Sequence, residues 1–150
     1  MKKQRGFTLI ELMVVIVILG ILAAVIAPRI PHFVNKAKEG RTKGNLGNLR
    51  SAINIYYSDN DGVYPPGATF ADALAPKYIK EIPKAEVVTI SGTEANHTHG
   101  PSNAVAIGSV EAKGDKDGWW YEDRATEAAY GDICVNCNGK DSTGKVWNTY

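Results

Sequence analysis

One long apolar block dominates the start of the chain, from Phe7 to Ala27, and it reads FTLIELMVVIVILGILAAVIA. Only Thr8, Glu11 and Gly20 interrupt its aliphatic residues. At about 1.5 Å per residue, a helix of this length spans the roughly 30 Å hydrocarbon core of a bilayer. A core helix of a globular protein would show a polar face. The block therefore predicts a membrane-spanning helix.

A second apolar pattern follows at helical spacing, now alternating with polar faces. Pro28 and Pro31 each lack a backbone donor, so they predict a kink or a local loss of helical bonding. The pattern as a whole predicts one long helix from about Phe7 to about Ser58, ended by the Asp-Asn-Asp-Gly run at 59–62. Its apolar stripe consists of Ile30, Phe33, Val34, Ala37, Leu46, Leu49, Ile53, Tyr56 and Tyr57.

The last part of the chain changes to short runs typical of strands. A short helix is expected at 70–74, and strands are expected at 87–90, 105–107, 118–121, 132–135 and 146–147. A small antiparallel sheet would pack its apolar face on the second half of the long helix. The predicted fold class is therefore α+β, with a long N-terminal helix and a small β-sheet head.

Composition and charge narrow the function classes. The chain has 150 residues, 44% of them apolar, with 17 Lys and Arg against 16 Asp and Glu, a net charge of +1. This is ordinary for one folded domain with an appendage, and it leaves no basic footprint for sequence-specific nucleic-acid binding. No Ser/His/Asp constellation or phosphate-binding loop stands out, so an enzyme is not expected.

The basic residues before the apolar block set its orientation. Lys2, Lys3 and Arg5 favour the cytoplasmic side, so the remaining chain should be exported. No small-residue cleavage site follows the block, as a secretory signal would require. The small residue Gly6 lies before it, and a cut there would remove the charges and keep the helix.

Glu11 is the chemical anomaly of the block. A carboxylate inside a membrane segment costs a few kcal/mol. If the chain is cut after Gly6, Phe7 carries a new amine four residues before Glu11, on the same helix face. The amine of a neighbouring subunit would serve equally well.

The segment GFTLIELMVVIVILGILAAVIAP resembles the leader junction of type IV pilins and type II secretion pseudopilins. The resemblance implies cleavage after Gly6, methylation of the new N-terminal Phe7, a role of Glu11 in filament assembly, and a helix interruption at Pro28. It implies a leader at 1–6, a transmembrane and polymerisation helix at 7–28, and an exported head at 29–150. The closing stretch, GWWYEDRATEAAYGDICVN to DSTGKVW, is similar to the C-terminal strands and loop of many pilins.

What the resemblance implies is a structural subunit of a type IV pilus, assembled from an inner-membrane pool into an extracellular or periplasmic filament. Its partners would be copies of itself, a prepilin peptidase and methylase, inner-membrane assembly machinery and minor pilins. Two alternatives remain open: the major pseudopilin of a type II secretion system, and a monomeric membrane-tethered binding module. Adhesion, motility, DNA uptake and electron transport are not distinguished.

Cys134 and Cys137 form a Cys-x-x-Cys pair with four interpretations: a disulfide, a redox site, a metal site or free thiols. Export to an oxidising compartment favours the disulfide. A redox site would open a helix, whereas Asn and Gly residues predict a turn here. Zinc normally takes four ligands, and only one such pair exists.

Other candidate ligands lie in turn-rich stretches. His97 and His99 would share one face of a strand, but the surrounding ANHTHGPSN predicts a loop with exposed histidines. No cofactor is expected, with calcium as an alternative because some pseudopilins carry it in the C-terminal loop. The candidate oxygen donors are Asp132, Asn136, Asn138 and Asp141, with Asp115 and Asp117 nearby.

The aromatic run Trp119-Trp120-Tyr121 is the last candidate surface. In a strand, Trp119 and Tyr121 share one face and Trp120 lies on the other. The run therefore predicts at least one core side chain and one that touches a neighbouring subunit.

Overall fold

The computed structural model describes residues 6–88, 98–109 and 113–150. These residues fall into two compact units, Met1–Val34 and Asn35–Tyr150. The predicted division into a leader, an anchor and a head concerns processing and the membrane, so it stays a prediction.

The first unit is built on helix α1, Leu9–Ile26, followed by a 3₁₀ turn at Ala27–Arg29 and the start of α2, Ile30–Asp59. Helical structure thus covers 9–59, which confirms the predicted long helix to within two residues at its start and one at its end. Hydrogen bonding changes from α to 3₁₀ around Pro28. Pro31, the second residue of α2, follows this 3₁₀ turn closely and has no N–H to donate. A kink angle at these prolines stays a prediction.

The second unit packs the C-terminal part of α2 against the strands. Leu49 and Ile53 of α2 are fully buried, at the spacing that the apolar stripe predicts. The core that they join also contains Leu46, Ala52, Phe70, Leu74, Trp119, Tyr121, Ile133, Val135 and Trp147. The helix therefore presents one apolar face to the sheet, as predicted.

Within the described residues, five short strands form two sheets: β1 (Ala85–Val87), β2 (His99–Ser102), β3 (Val105–Ile107), β4 (Trp119–Tyr121) and β5 (Ile133–Val135). β1 pairs antiparallel with β2, and β4 pairs antiparallel with β5. β3 instead runs parallel to β4, in register from Val105 opposite Trp119. The α+β class is confirmed, with mixed rather than purely antiparallel pairing.

Other elements match the sequence patterns to different degrees. The short helix α3, Phe70–Leu74, lies where it was predicted. β1 lies at 85–87 instead of 87–90, and Thr89 and Ile90 lie outside the described residues. The stretch around His99 was predicted as a loop but forms β2. The predicted terminal strand is a single bridge between Lys140 and Val146, followed by a 3₁₀ turn at Trp147–Thr149.

Gly118 allows the close backbone approach at the start of the parallel pair β3 and β4. Gly118 has a positive φ of 87°, and a side chain there would run into the backbone of Ala104. The next residue, Trp119, donates its N–H to the Ala104 carbonyl at 2.8 Å. Only glycine adopts this conformation without strain and leaves room for that contact.

The aromatic run at 119–121 is core rather than surface. Trp119, Trp120 and Tyr121 are each no more than 1% exposed. Trp120, on the opposite face from its neighbours, is covered by the Lys113 ammonium 4.4 Å from its ring centroid. The prediction that one of the three contacts a neighbouring subunit is therefore wrong for this structure, because both faces of β4 are covered.

Candidate functional site

Helix α1 is an apolar surface with nothing packed on it. All of its residues are described, and none of them is buried. Its large aliphatic side chains are 48–76% exposed, and they surround the axis without a polar stripe. By length and composition this helix is apolar enough to cross a membrane. A helix that is apolar all round needs lipid or other protein around it.

The scissile position predicted from the sequence precedes the helix. Gly6, Phe7 and Thr8 are non-helical, and Phe7 is almost fully exposed. The bond from Gly6 to Phe7 therefore lies in backbone that a peptidase can bind in extended form. Cleavage at this bond stays a prediction.

Glu11 caps its own helix. Thr8 is the N-cap residue, and its hydroxyl oxygen accepts from the Glu11 N–H at 3.3 Å. In return, the Glu11 carboxylate accepts from the Thr8 N–H and the Thr8 hydroxyl, each at 2.8 Å. The carboxylate also lies at the positive end of the helix dipole. Glu11 is thus satisfied within one chain.

Sequence reasoning missed the part that Thr8 plays. The signal was present, since Thr-Leu-Ile-Glu is the Ser/Thr-x-x-Glu pattern of a capping box directly before an apolar run. It was overlooked because Thr8 looks like one of three interruptions in a membrane segment. The structure couples two of these interruptions, Thr8 and Glu11.

The two cysteines are buried, free and on different faces of the sheet. Cys134 lies in β5 opposite Trp120, between Ile133 and Val135, which both face the core. Strand alternation therefore turns Cys134 away from the core. Cys137, beyond the end of the strand, belongs to the core itself. Both thiols are free in this structure, and the disulfide between them stays a prediction.

Burial is the main influence on the pKa of both thiols. It raises the pKa of Cys134 and that of Cys137 to about 11 each. For Cys134, burial outweighs the nearby positive charges of Lys113 and Arg50, which lower its pKa. The Gly139 N–H donates to the Cys137 sulfur at 3.2 Å, which partly opposes the effect of burial.

Three of the four calcium candidates have hydrogen-bond partners of their own. Asn136 is buried and accepts from the Gly114 N–H at 2.9 Å. Asn138 accepts from the Asn148 side chain at 2.6 Å. Asp132 is exposed at the start of β5. Asp141 is buried among donors of its own, described next. Calcium at these residues stays a prediction.

Asp141 joins the C-terminal loop to α2. One carboxylate oxygen accepts from the Lys43 ammonium at 2.5 Å and from the Tyr150 hydroxyl. The other accepts from the Thr143 N–H, the Thr143 hydroxyl and the Lys145 N–H, at 2.7–2.9 Å. Burial alone would raise the pKa of Asp141, but the donors, led by Lys43, outweigh it and hold that pKa well below its ordinary value.

Glu39 completes this link, which we call the Glu39–Lys43–Asp141 network. Its carboxylate accepts from Lys43 at 2.7 Å, four residues along the helix, and from the Ser142 N–H and hydroxyl at 3.1 and 3.0 Å. In the sequence, Lys43 and Glu39 belong to the polar faces of the predicted long helix. Their i, i+4 spacing was a visible signal of pairing, but Asp141 is 98 residues away from Lys43.

His99 is partly buried and has a carboxylate at each ring nitrogen. Nε2 lies 2.9 Å from Asp115, and Nδ1 lies 2.9 Å from Asp117. The sequence predicted an exposed histidine in a loop, but its side chain is only 15% exposed. The other histidine of the pair, His97, lies outside the described residues. Asp115 also lies beside Cys137, so His99, Asp115 and Cys137 form one cluster.

Comparisons with known proteins agree with the leader junction. The family model "Prokaryotic N-terminal methylation motif" matches residues 1–27. The type II secretion system core protein G of Pseudomonas aeruginosa is 32% identical over 77% of this chain and 91% of its own length. The type IV major pilin protein PilE1 of Neisseria gonorrhoeae is 31% identical over 93% of this chain and 81% of its own length.

A third relative, the fimbrial protein EcpC of Eikenella corrodens, is 39% identical over 60% of this chain and 58% of its own length. No solved structure matches the chain significantly. The matches to all three relatives extend well beyond the apolar block, so the similarity includes the head.

Proposed function

We propose that this chain, which belongs to the family of type IV pilins and type II secretion pseudopilins, is the structural subunit of a type IV pilus. The observation that carries the proposal is α1, an uncovered helix that is apolar on every side. Each aliphatic side chain moved from water into apolar surroundings contributes about 1.5–3 kcal/mol. Lipid covers this surface first, and the helices of neighbouring copies cover it in the filament.

Assembly then exchanges one apolar environment for another. The apolar helix and the leader anchor the subunit in a membrane before assembly. The subunit leaves the inner membrane and joins a core made of the same helices. Contacts between unlike surfaces of successive copies do not close into a ring, so they produce an open helical filament outside the membrane.

Glu11 makes the specific contact between an incoming subunit and the filament. Before cleavage, its carboxylate is held by its own Thr8. After cleavage between Gly6 and Phe7, the new amine on Phe7 provides a positive charge at this end of the helix. In the filament, the Glu11 of an incoming subunit pairs with the amine of a subunit already in place. That ion pair recruits the subunit and fixes its axial position.

Two substitutions of Glu11 separate this role from capping. Glu11→Gln keeps an acceptor for the capping box, since Gln serves there as well as Glu, but it removes the charge. Glu11→Ala removes both. We expect both proteins to insert and be cleaved normally and to yield few filaments, measured as processed subunit in membranes against subunit in sheared filaments.

Thr8→Val is the matched control, because it weakens the cap and leaves the carboxylate in place. We expect this variant to assemble. Normal filament yield from cleaved Glu11→Gln protein would refute the charge pairing, and failure of Thr8→Val alone would assign the effect to the cap.

A second candidate is the major pseudopilin of a type II secretion system. It is favoured by the similarity to core protein G across nearly the whole of that protein. Electron microscopy of cells at native expression separates the two. Surface filaments that disappear on deletion of the gene support the pilus, whereas filaments seen only on overexpression, with a secretion defect on deletion, support the pseudopilin.

The partners follow from the processing route. A prepilin peptidase would remove MKKQRG and a methylase would modify Phe7, after which inner-membrane machinery and minor pilins would act. Intact-mass measurement of purified filaments tests the first two steps. Material that retains Lys2 and Lys3 would contradict this route. In this role the head packs and presents a surface, and we propose no enzymatic activity for it.

A further inference from the structure

The cluster of His99, Asp115 and Cys137 combines three different ligand types at one place. One ligand atom from each residue lies within 4.8 Å of the other two. Imidazole, carboxylate and thiolate together suit zinc, whereas calcium and magnesium take oxygen ligands only. From this geometry we infer that the head binds one zinc ion at His99, Asp115 and Cys137.

Asp117 supports this site from behind His99. It lies 2.9 Å from Nδ1, while Nε2 is directed towards Asp115. A histidine that ligates zinc commonly donates its second N–H to a carboxylate, which fixes the tautomer and makes the ring more basic. Asp117 provides this arrangement before any metal is bound.

The sulfur of Cys137 has a hydrogen-bond donor that does not involve His99 or Asp117. Cys137 is fully buried, and the Gly139 N–H donates to its Sγ at 3.2 Å. Hydrogen bonds to the sulfur are a regular feature of cysteine metal ligands. This bond comes from a backbone that the loop fixes in place, so it is present without a rearrangement.

Zinc binding requires small movements of the three ligand side chains. Zinc bonds of about 2.0 Å to nitrogen and oxygen and about 2.3 Å to sulfur hold tetrahedral ligands roughly 3.3–3.7 Å apart. The direct contact between His99 and Asp115 therefore opens, and the wider separations close by about 1 Å. Asp115 is 38% exposed, which gives the ion an entry path and leaves the fourth position to water.

The three ligands come from separate parts of the head. His99 is the first residue of β2, Asp115 lies between β3 and β4, and Cys137 follows β5. Zinc would therefore connect the two-stranded sheet to the three-stranded sheet. Its binding energy would stabilise the folded head, because the unfolded chain has no preformed site.

The test uses the full-length processed subunit, purified in detergent with a non-thiol reductant and loaded with Zn²⁺ or Co²⁺ alone. We expect one zinc per chain after desalting, and a thiolate-to-cobalt charge-transfer absorption in the near ultraviolet. His99→Gln and Asp115→Asn should each weaken binding at least 100-fold. Asp117→Asn should weaken it about 10-fold, as loss of an outer carboxylate does.

Cys134→Ser is the matched control, since Cys134 is also buried but lies on the other face of the sheet, and it should bind like the wild type. Cys137→Ser should lose the charge-transfer absorption, with tryptophan fluorescence as a check of folding. If that variant fails to fold, the wild-type cobalt spectrum decides the point. Absence of the absorption, equal binding by the His99 variant, or a Cys134–Cys137 disulfide in isolated filaments would overturn the site.

Discussion

Asp141→Asn tests whether the Glu39–Lys43–Asp141 network holds the C-terminal loop on α2. The substitution keeps the shape of the side chain and removes the charge that faces Lys43. It leaves Lys43 with Glu39 as its only charged partner in the network. We expect the head to lose stability without losing its fold.

The expected decrease in the free energy of unfolding follows from the burial of the ion pair. Removing one member of a buried ion pair costs about 3–5 kcal/mol. Lys43 is 29% exposed and keeps Glu39, which places the expected loss near the lower end, about 3 kcal/mol. For a unit of this size, that loss lowers the Tm by roughly 10 °C.

Tryptophan fluorescence during urea unfolding is the appropriate assay. All three tryptophans, Trp119, Trp120 and Trp147, are buried in the head, and α1 contains none. The signal therefore reports the unit that contains the network and is insensitive to the apolar helix. The expected result is a lower midpoint with an unchanged slope.

Asp59→Asn is the matched control. Asp59 pairs with Lys77 at 3.4 Å, and the two side chains are 48% and 69% exposed. Exposed pairs of this kind contribute about 0–1 kcal/mol. Equal losses from the two substitutions would refute the argument from burial, because the same chemical change would then act independently of its surroundings.

The same network predicts a pH dependence with a definite sign. The pKa of Asp141 is lower in the folded protein than in the unfolded chain, where it is near 3.8. Its contribution is therefore fully present above that value and is lost as the pH falls below about 4. The difference in stability between the wild type and Asp141→Asn should shrink over this range. A difference that stays constant down to pH 2 would contradict the assignment.

Three further predictions concern other parts of the chain. Gly6→Trp should leave uncleaved precursor in the membrane, which intact-mass measurement would show as retention of the leader. Gly118→Ala should destabilise the head by more than about 1 kcal/mol in urea, because φ is positive and the Ala104 carbonyl lies in the way. Glu86→Gln should speed hydrogen exchange in β1, because Glu86 accepts from Lys38 at 2.7 Å and Arg41 at 2.5 Å; unchanged exchange would show that these ion pairs do not hold the strand.

Local patterns predicted the helical part of the fold well. Leu49 and Ile53 follow the helical period, and the apolar block is long enough for a membrane-spanning helix. Both segments can therefore be predicted without knowledge of distant residues. The parallel pairing of β3 with β4 was missed because register between strands is decided by contacts far apart in sequence. Here the deciding contact is the approach of Gly118 to Ala104, and no local signal shows that they meet.

The candidate sites divide in the same way. The capping of Glu11 by Thr8 was readable, since both partners lie within one helical turn. The environment of His99 was not, because Asp115 and Cys137 reach it from other loops. The disulfide prediction rested on export to an oxidising compartment and on the turn residues after Cys134. Neither signal shows that Cys134 lies in β5 with its side chain away from the core that contains Cys137.

The uniform surface of α1 has a consequence for how a filament sets its geometry. A helix with an apolar stripe has a preferred rotation about its own axis, whereas α1 is equally apolar in every direction. Packing of such helices is tolerant, so aliphatic exchanges among its residues should leave the lattice unchanged. The information that fixes twist and rise must then come from sparse polar positions, of which Glu11 is the one charged example in α1, and from the heads. In a filament of such subunits, the apolar helix holds the subunits together, whereas the polar positions and the heads set the helical symmetry. The two properties can therefore vary independently.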